Sequence, residues 1–341
     1  MQEQIANWGI GINLGNSLDA IGGETAWGNP PVTREMIHMY AAAGFDMLRV
    51  PTTWAGHFGD APDYPVNPAW MNRVQQVVDW ALEEGLRVIL NTHHEQNLWL
   101  RTELKTLRNV LPAFVALWKQ VAARFAGYDD MLVFQGLNEP RVEGGAEEWN
   151  GATPDVRAAV NALNAAFVDV IRESGGQNAR RWLCIPPVGA QITAPGLKDM
   201  IIPEDNRLIV TVHSYKPERF VLDHHAVGSV SVFGPDEEAE LDSAFALLKD
   251  FRHAHPTVPL MITEHGAVSK VSGPLGQRND MDRAKFEHAF LSRASAMGIP
   301  CVYWDNNYYS AGDEWFGLFD RVTLQCHSPR VLEAMLAYRT K

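Results

Sequence analysis

Two carboxylates end two short apolar runs, and they are the residues around which a reaction could be built. Leu132-Val133-Phe134-Gln135-Gly136-Leu137-Asn138-Glu139-Pro140 is an apolar segment that stops in an amide, a carboxylate and a proline. Proline cannot continue a strand ladder, so Asn138 and Glu139 are left at the C-terminal edge of a strand. Leu260-Met261-Ile262-Thr263-Glu264-His265-Gly266 repeats the arrangement, its carboxylate 125 residues further on. Two such carboxyls can divide acid and nucleophile work, one kept protonated by its surroundings and the other kept ionised. Arg49, near the end of Asp46–Val50 and just before Pro51, is a cation suited to the second task.

Strand-like and helix-like segments alternate along the chain. The strands are Trp8–Leu14, Asp46–Val50, Arg87–Asn91, the run at Leu132, Trp182–Ile185, Leu208–Val212, the run at Leu260, and Pro300–Tyr303. Helices are predicted from Thr33 to Ala43, from Asn67-Pro68 to Gly85, over Leu111–Phe125, and from Thr153-Pro154 to Ser174. Further helices cover Leu197–Ile201, Pro235–His255 and Asn279–Met297, and a last one opens at Ser328-Pro329. The strands are short, apolar and without strict alternation, as when both faces are buried. Eight βα units without a linker predict a single (β/α)8 TIM barrel, one domain over residues 1–341. An open doubly wound sheet is the architectural alternative.

In such barrels the reactive groups line the C-terminal face. The strand ends there offer Arg49, His93 or His94, Asn138, Glu139, His213, Tyr215, Glu264 and Trp304. The set meets the needs of a retaining glycoside hydrolase, in which a general acid/base and a nucleophile stand about 5–5.5 Å apart. Asn138 is placed to hydrogen-bond a sugar 2-hydroxyl, a contact that strengthens in the transition state. Eleven tryptophans add to the picture. Trp27, Trp54, Trp99, Trp149 and Trp315 lie among polar, glycine or proline-rich neighbours, where flat faces suit sugar rings or plug a barrel end.

The motifs together resemble glycoside hydrolase family 5, in its endoglucanase and xyloglucanase branch. The resemblance runs through Gly11-Ile-Asn-Leu-Gly-Asn-Ser-Leu-Asp-Ala20, Glu24-Thr-Ala-Trp-Gly-Asn-Pro30, Arg49-Val-Pro51 with Trp54, and Asn91-Thr-His-His-Glu95. It continues in Leu137-Asn-Glu-Pro140, His213-Ser-Tyr215, Thr263-Glu264, Trp304-Asp-Asn306 and Gly317-Leu-Phe-Asp-Arg321. It implies Glu139 as acid/base and Glu264 as nucleophile, with Arg49 and Tyr215 supporting the nucleophile and His213 near the acid. His93 or His94, Trp304, Asn16, Trp27, Trp54 and Asn306 are implied as substrate-binding, with Trp304 under the sugar being cleaved. Hydrolysis of β-1,4-glucan is implied first, then xyloglucan or mixed-linkage glucan, then mannan, with no cofactor. His265 departs from the pattern, because an aromatic residue such as Phe often follows the nucleophile.

Composition narrows the partners. A net charge of −12 with no run of cations argues against nucleic acid or an anionic membrane. No apolar stretch approaches the roughly 18 residues that span a bilayer. The N-terminus has no leader-like segment, so either the protein is cytoplasmic or a leader is missing, and polysaccharide action favours an extracellular or periplasmic location for a monomer. Three scattered cysteines, Cys184, Cys301 and Cys326, read as free thiols. Two rival readings stand beside the favoured one. A metal-dependent barrel hydrolase would draw ligands from His93, His94, Glu95, His213, Glu264 and His265. Strand alternation would then send His93 and His94 to opposite sides. A non-catalytic carbohydrate-binding barrel would need no matched carboxylates.

Overall fold

The computed structural model describes residues 2–222, 229–272, 277–309 and 314–339. Its central feature is a closed ring of eight parallel strands. These are β1 (Ile10–Leu14), β2 (Met47–Val50), β3 (Arg87–Asn91), β4 (Leu132–Gln135), β5 (Leu183–Ile185), β6 (Leu208–Ser214), β7 (Leu260–His265) and β8 (Cys301–Asp305). Each pairs with its neighbours in sequence, and β8 pairs with β1 to close the ring. Around it lie α1 (Arg34–Ala43), α2 (Pro68–Glu83), α3 (Leu107–Arg124), α4 (Pro154–Glu173), α5 (Ala194–Lys198), α6 (Pro235–Ala254), α7 (Asp280–Ala296) and α8 (Pro329–Leu336). The architecture is the (β/α)8 barrel that the alternation predicts.

Local chemistry accounts for most boundaries. The Thr33 hydroxyl accepts from Met36 N at the start of α1, and Gly44 closes the helix at φ 103°. Asn67 caps α2 through Ala69 N and Trp70 N, with Pro68 in the first turn. Two helices differ from expectation. Helix α3 begins at Leu107 rather than Leu111, because Leu107 and Val110 extend its buried face and Pro112 is absorbed inside the helix. Helix α5 is shifted to Ala194–Lys198, capped by the Thr193 hydroxyl on Gly196 N. Thr153, expected to cap α4, makes no side-chain cap bond.

The barrel interior is layered. Met47, Ile89, Val133, Cys184, Ile209, Met261 and Val302 form an apolar plug, closed below by Ile5, Trp8 and Trp182. Two residues further along six of the eight strands the interior turns polar, with Asn13, Arg49, Asn91, Gln135, Thr211 and Thr263 all fully buried. The apolar layer therefore serves as a dry floor beneath a polar one.

Strand β7 carries a bulge. Val212 pairs with Ile262 but His213 pairs with Glu264, and on the other side Cys301 pairs with Ile262 while Tyr303 pairs with His265. One extra residue of β7 is thus accommodated at Thr263-Glu264. The Thr263 hydroxyl meets Gln135 inside the barrel and Glu264 meets Arg49 there, so two consecutive side chains face inward. His265 then turns outward onto Phe290, ring centroids 4.6 Å apart and nearly coplanar in orientation at 3°. It fills the space of the aromatic residue whose absence the sequence flags.

Candidate active site

Arg49 organises the polar layer. Its side chain is fully buried, and it donates to Gln135 Oε1 at 2.7 Å, Asn13 Oδ1 at 2.8 Å, Asn138 Oδ1 at 2.6 Å and Glu264 Oε1 at 2.7 Å. Asn13 is held in turn by the Thr263 and Tyr303 carbonyls, and Gln135 by the Thr211 hydroxyl. The guanidinium is therefore fixed by groups from β1, β4 and β7. Glu264 Oε2 accepts from the Tyr215 hydroxyl at 2.9 Å. Burial and the neighbouring carboxylates push the Tyr215 phenol well above its ordinary range, so it remains a donor.

Across from Glu264 stands Glu139. One oxygen of each carboxylate and one nitrogen of His213 lie within 4.8 Å of one another. His213 Nδ1 is 2.8 Å from Glu139 Oε1 and 3.5 Å from Glu264 Oε2. Burial pushes His213 down to about 3, so the ring is neutral, and a proton on Nδ1 serves the carboxylates on that side. The Glu139 carboxyl is raised above its ordinary value by burial, against the lowering influence of Arg141 and Arg49. The geometry thus provides one carboxyl biased toward protonation by burial and another held at 2.7 Å by a fully buried guanidinium, the asymmetry that acid and nucleophile roles require.

The remaining expected residues divide. His93 is buried and stacks parallel to Trp304 at 5.7 Å and 6°. Its Nδ1 meets Asn91 Nδ2 at 3.1 Å and its Nε2 meets Asn138 Nδ2 at 3.4 Å. The Asn91 oxygen accepts from Thr52 N and the Asn138 oxygen from Arg49, so both amides turn their nitrogens toward the His93 ring. His94 lies edge-on to His93 at 4.5 Å and borders the Trp27 ring at 5.4 Å. Trp304 is only 7% exposed, packed with Val268 and Phe316, and a Cβ at Gly15 would stand 2.8 Å from its ring. Asn16 holds φ 56°, its N–H on Asp19 and its carbonyl on Asn29, so its backbone braces the β1 loop.

Two expectations are corrected. Trp54, expected to bind substrate, is fully buried, with its indole N–H on the Asn91 carbonyl. Asn306, expected likewise, is also fully buried, its amide joined to the Glu314 carbonyl and to Tyr308 N. Both stabilise the loops that carry the site. The alternation argument about the two histidines does not apply either. Strand β3 ends at Asn91 and His94 opens a 3-10 turn, so both rings, with Asp19, reach within 4.8 Å of one another. The Asp19 carboxylate is occupied by Asn16 N and Ser17 N.

Several residues of the site escaped the sequence reading. Asn13 and Gln135 are lone amides inside apolar strands, and that oddity was their signal. Arg141 follows Pro140 directly and donates to Glu139 Oε2 at 3.3 Å, a cation two residues from the acid. Glu95 accepts from Trp54 N, Ala55 N and the Trp99 indole, and nothing local in the sequence indicates that role.

Comparison with known proteins agrees with this geometry. The model of the cellulase family, glycosyl hydrolase family 5, matches residues 13–310. Endoglucanase A of Ruminococcus albus is 41% identical over 340 residues, spanning 98% of this chain and 91% of that protein. Among solved structures, a xyloglucan-specific endo-β-1,4-glucanase from a metagenomic library, in complex with cellotriose, superposes with a TM-score of 0.93 at 36% identity, covering 99% of both chains. A broad-specificity endoglucanase from Clostridium acetobutylicum gives 0.92 at 34% identity, covering 98% of both.

Proposed function

The chain belongs to glycoside hydrolase family 5, and from that premise we propose that it is a retaining endo-β-1,4-glucanase. Glu139 protonates the departing glycosidic oxygen while Glu264 attacks the anomeric carbon, forming a glycosyl-enzyme and breaking the C–O bond. Glu139, now ionised, takes a proton from water, which attacks the same carbon and releases Glu264. The observation that carries this reading is that one oxygen of each carboxylate comes within 4.8 Å of the other, as fits the roughly 5–5.5 Å carboxyl spacing of retaining enzymes. Arg49 and Tyr215 hold the nucleophile. Asn138, whose oxygen is taken by Arg49, offers its amide N–H to the sugar 2-hydroxyl. His93 Nε2 and Trp304 bound the reacting ring. One similar enzyme is a xyloglucan-specific endo-β-1,4-glucanase solved with cellotriose, which supports a cello-oligosaccharide backbone as substrate here. Reducing-sugar release from cellulose-type glucan, xyloglucan, mixed-linkage glucan and mannan ranks the preference, and a mannan-only activity would overturn the glucan assignment.

The two glutamates are separated by azide. On an aryl glycoside with a good leaving group, Glu139→Ala is expected to form the glycosyl-enzyme quickly and then stall. Azide, which needs no base, rescues it as the β-glycosyl azide. Glu264→Ala forms no intermediate, and azide in the vacated space gives the α-azide. Exchanged anomers would reverse the roles. Activity abolished by chelation and restored by metal, with no rescue in either variant, would return the metal-dependent reading.

A further inference from the structure

Glu139 must be an acid in one step and a base in the next, yet it is largely enclosed. Burial alone favours the protonated form and leaves the ionised form without compensation. The loop after β4 supplies what is missing. Arg141 Nη1 reaches Glu139 Oε2 at 3.3 Å and the Glu139 carbonyl at 3.1 Å. Its Nε donates to Glu148 Oε1 at 2.8 Å, and its guanidinium lies 4.5 Å above the Trp149 ring. Glu148 is anchored by Gly144 N at 2.7 Å, and its carbonyl by the Gln191 amide. The cation is thus held on one side by a second carboxylate and on the other by the acid.

We propose that Arg141 and Glu148 form a charge-compensating pair that sets the proton affinity of Glu139 for both halves of the catalytic cycle. The proposal rests on the acid/base role given to Glu139 above. When Glu139 carries its proton, Arg141 remains neutralised by Glu148. When Glu139 is ionised, Arg141 is shared between the two carboxylates, so neither state leaves a buried charge alone. Arg141 favours the carboxylate that must act as base, and Glu148 tempers that effect so that the acid survives near neutrality. The other charged and titratable groups facing Glu139 are His213 and Tyr215 from the end of β6, Glu264 from β7 and Arg49 from β2. All of them stay in place in the variants below, so a change in Glu139 reports the pair.

The sign of the effect differs between the partners. Removing the cation in Arg141→Gln disfavours the Glu139 carboxylate and raises its pKa. Removing the anion in Glu148→Gln leaves Arg141 more fully directed at Glu139 and lowers it. The upper limb of kcat/KM against pH, which follows loss of the acid's proton, should therefore move up in the first variant and down in the second. The shift in Arg141→Gln should be about one pH unit, the low end for an opposite charge in contact, and that in Glu148→Gln smaller, because Glu148 stands beyond Arg141. Arg141→Lys, which keeps the charge, should restore most of the wild-type limb. Carbon-13 titration of the Glu139 carboxyl, assigned by its loss in Glu139→Gln, reads the same shifts without turnover. Opposite shifts in the two variants establish the pair. Activity lowered equally at all pH values with the carboxyl titration unmoved, or shifts of one sign, would overturn it. Opposite carboxyl shifts in a protein that hydrolyses no β-glucan would instead sink the proposed function and leave the pair standing.

Discussion

Arg49 concentrates at one residue what the site requires of its polar layer. Its four bonded side chains come from three strands and the end of β4, and all four are buried. Removing it therefore acts on folding and chemistry together. Arg49→Ala should cost about 3–5 kcal/mol of stability, as when one partner of a buried ion pair is removed. Arg49→Lys separates the two effects, because a point charge can still meet Glu264 but cannot span the fork of acceptors. That variant should retain more stability while kcat falls about 10²–10³-fold, comparable to losing one preorganised donor. Denaturant melts and steady-state kinetics on both variants check this, and near-normal kcat in Arg49→Lys would make Arg49 a structural residue.

At the scale of elements, β7 and α7 share a second buried pair that chemistry does not use. His265 Nε2 lies 3.1 Å from Glu287 Oε2 and its Nδ1 lies 3.2 Å from the Val302 carbonyl, with both side chains about 1% exposed. Both ring nitrogens thus face oxygen atoms, one of a carboxyl and one of a backbone carbonyl. The ring stacks on Phe290 as an aromatic residue would, and the acid on α7 is matched to it. His265→Phe should preserve the stacking yet strand Glu287, with a loss of about 3–5 kcal/mol. His265→Phe combined with Glu287→Leu should recover most of that loss, because two apolar groups need no partner. Urea melts of the three proteins decide it; a single variant as stable as wild type would show that the pair is not coupled. The bulge in β7 sets which of the two neighbours faces in: Glu264 turns toward Arg49 and His265 outward to Glu287.

Over the whole molecule, the barrel is secured where its ends meet. Arg321 is fully buried and donates to the Tyr40 hydroxyl at 2.9 Å, the Gly15 carbonyl at 2.7 Å, the Ser17 hydroxyl at 2.9 Å and Asp305 Oδ1 at 3.0 Å. One side chain from the C-terminal region thus ties the exit of β1, the helix α1 and the last strand. Asp305 keeps backbone N–H partners from Asn307 and Leu318, so it would not be wholly abandoned. Arg321→Met should then cost about 3 kcal/mol, the low end for breaking a buried pair, while kcat at low temperature changes little. Differential scanning calorimetry beside an activity assay tests the separation, and a large fall in kcat without loss of stability would contradict it.

The eight strands, their order and the two carboxylates at strand ends were legible because their signals are local. Pro140 stops a ladder wherever it occurs, and caps such as Thr33 and Asn67 bond within their own turn. What local signals do not carry is direction and pairing across distance. Alternation from Met261 would send Glu264 out of the barrel, and only the register of β7 against β6 and β8 turns it toward Arg49. Trp54 and Asn306 stand in the right motifs but are consumed by loop packing, their partners being a carbonyl 37 residues away and a neighbouring loop. Arg141 was missed although it stands two residues from Glu139, because its balance with Glu148 arises from a loop that folds back on itself. The sequence by itself determined which groups arrive at the rim, because strand ends are short-range events. Tertiary structure alone decided which of them face the pit and with what charge beside them, because register and burial are set by residues far apart in the chain.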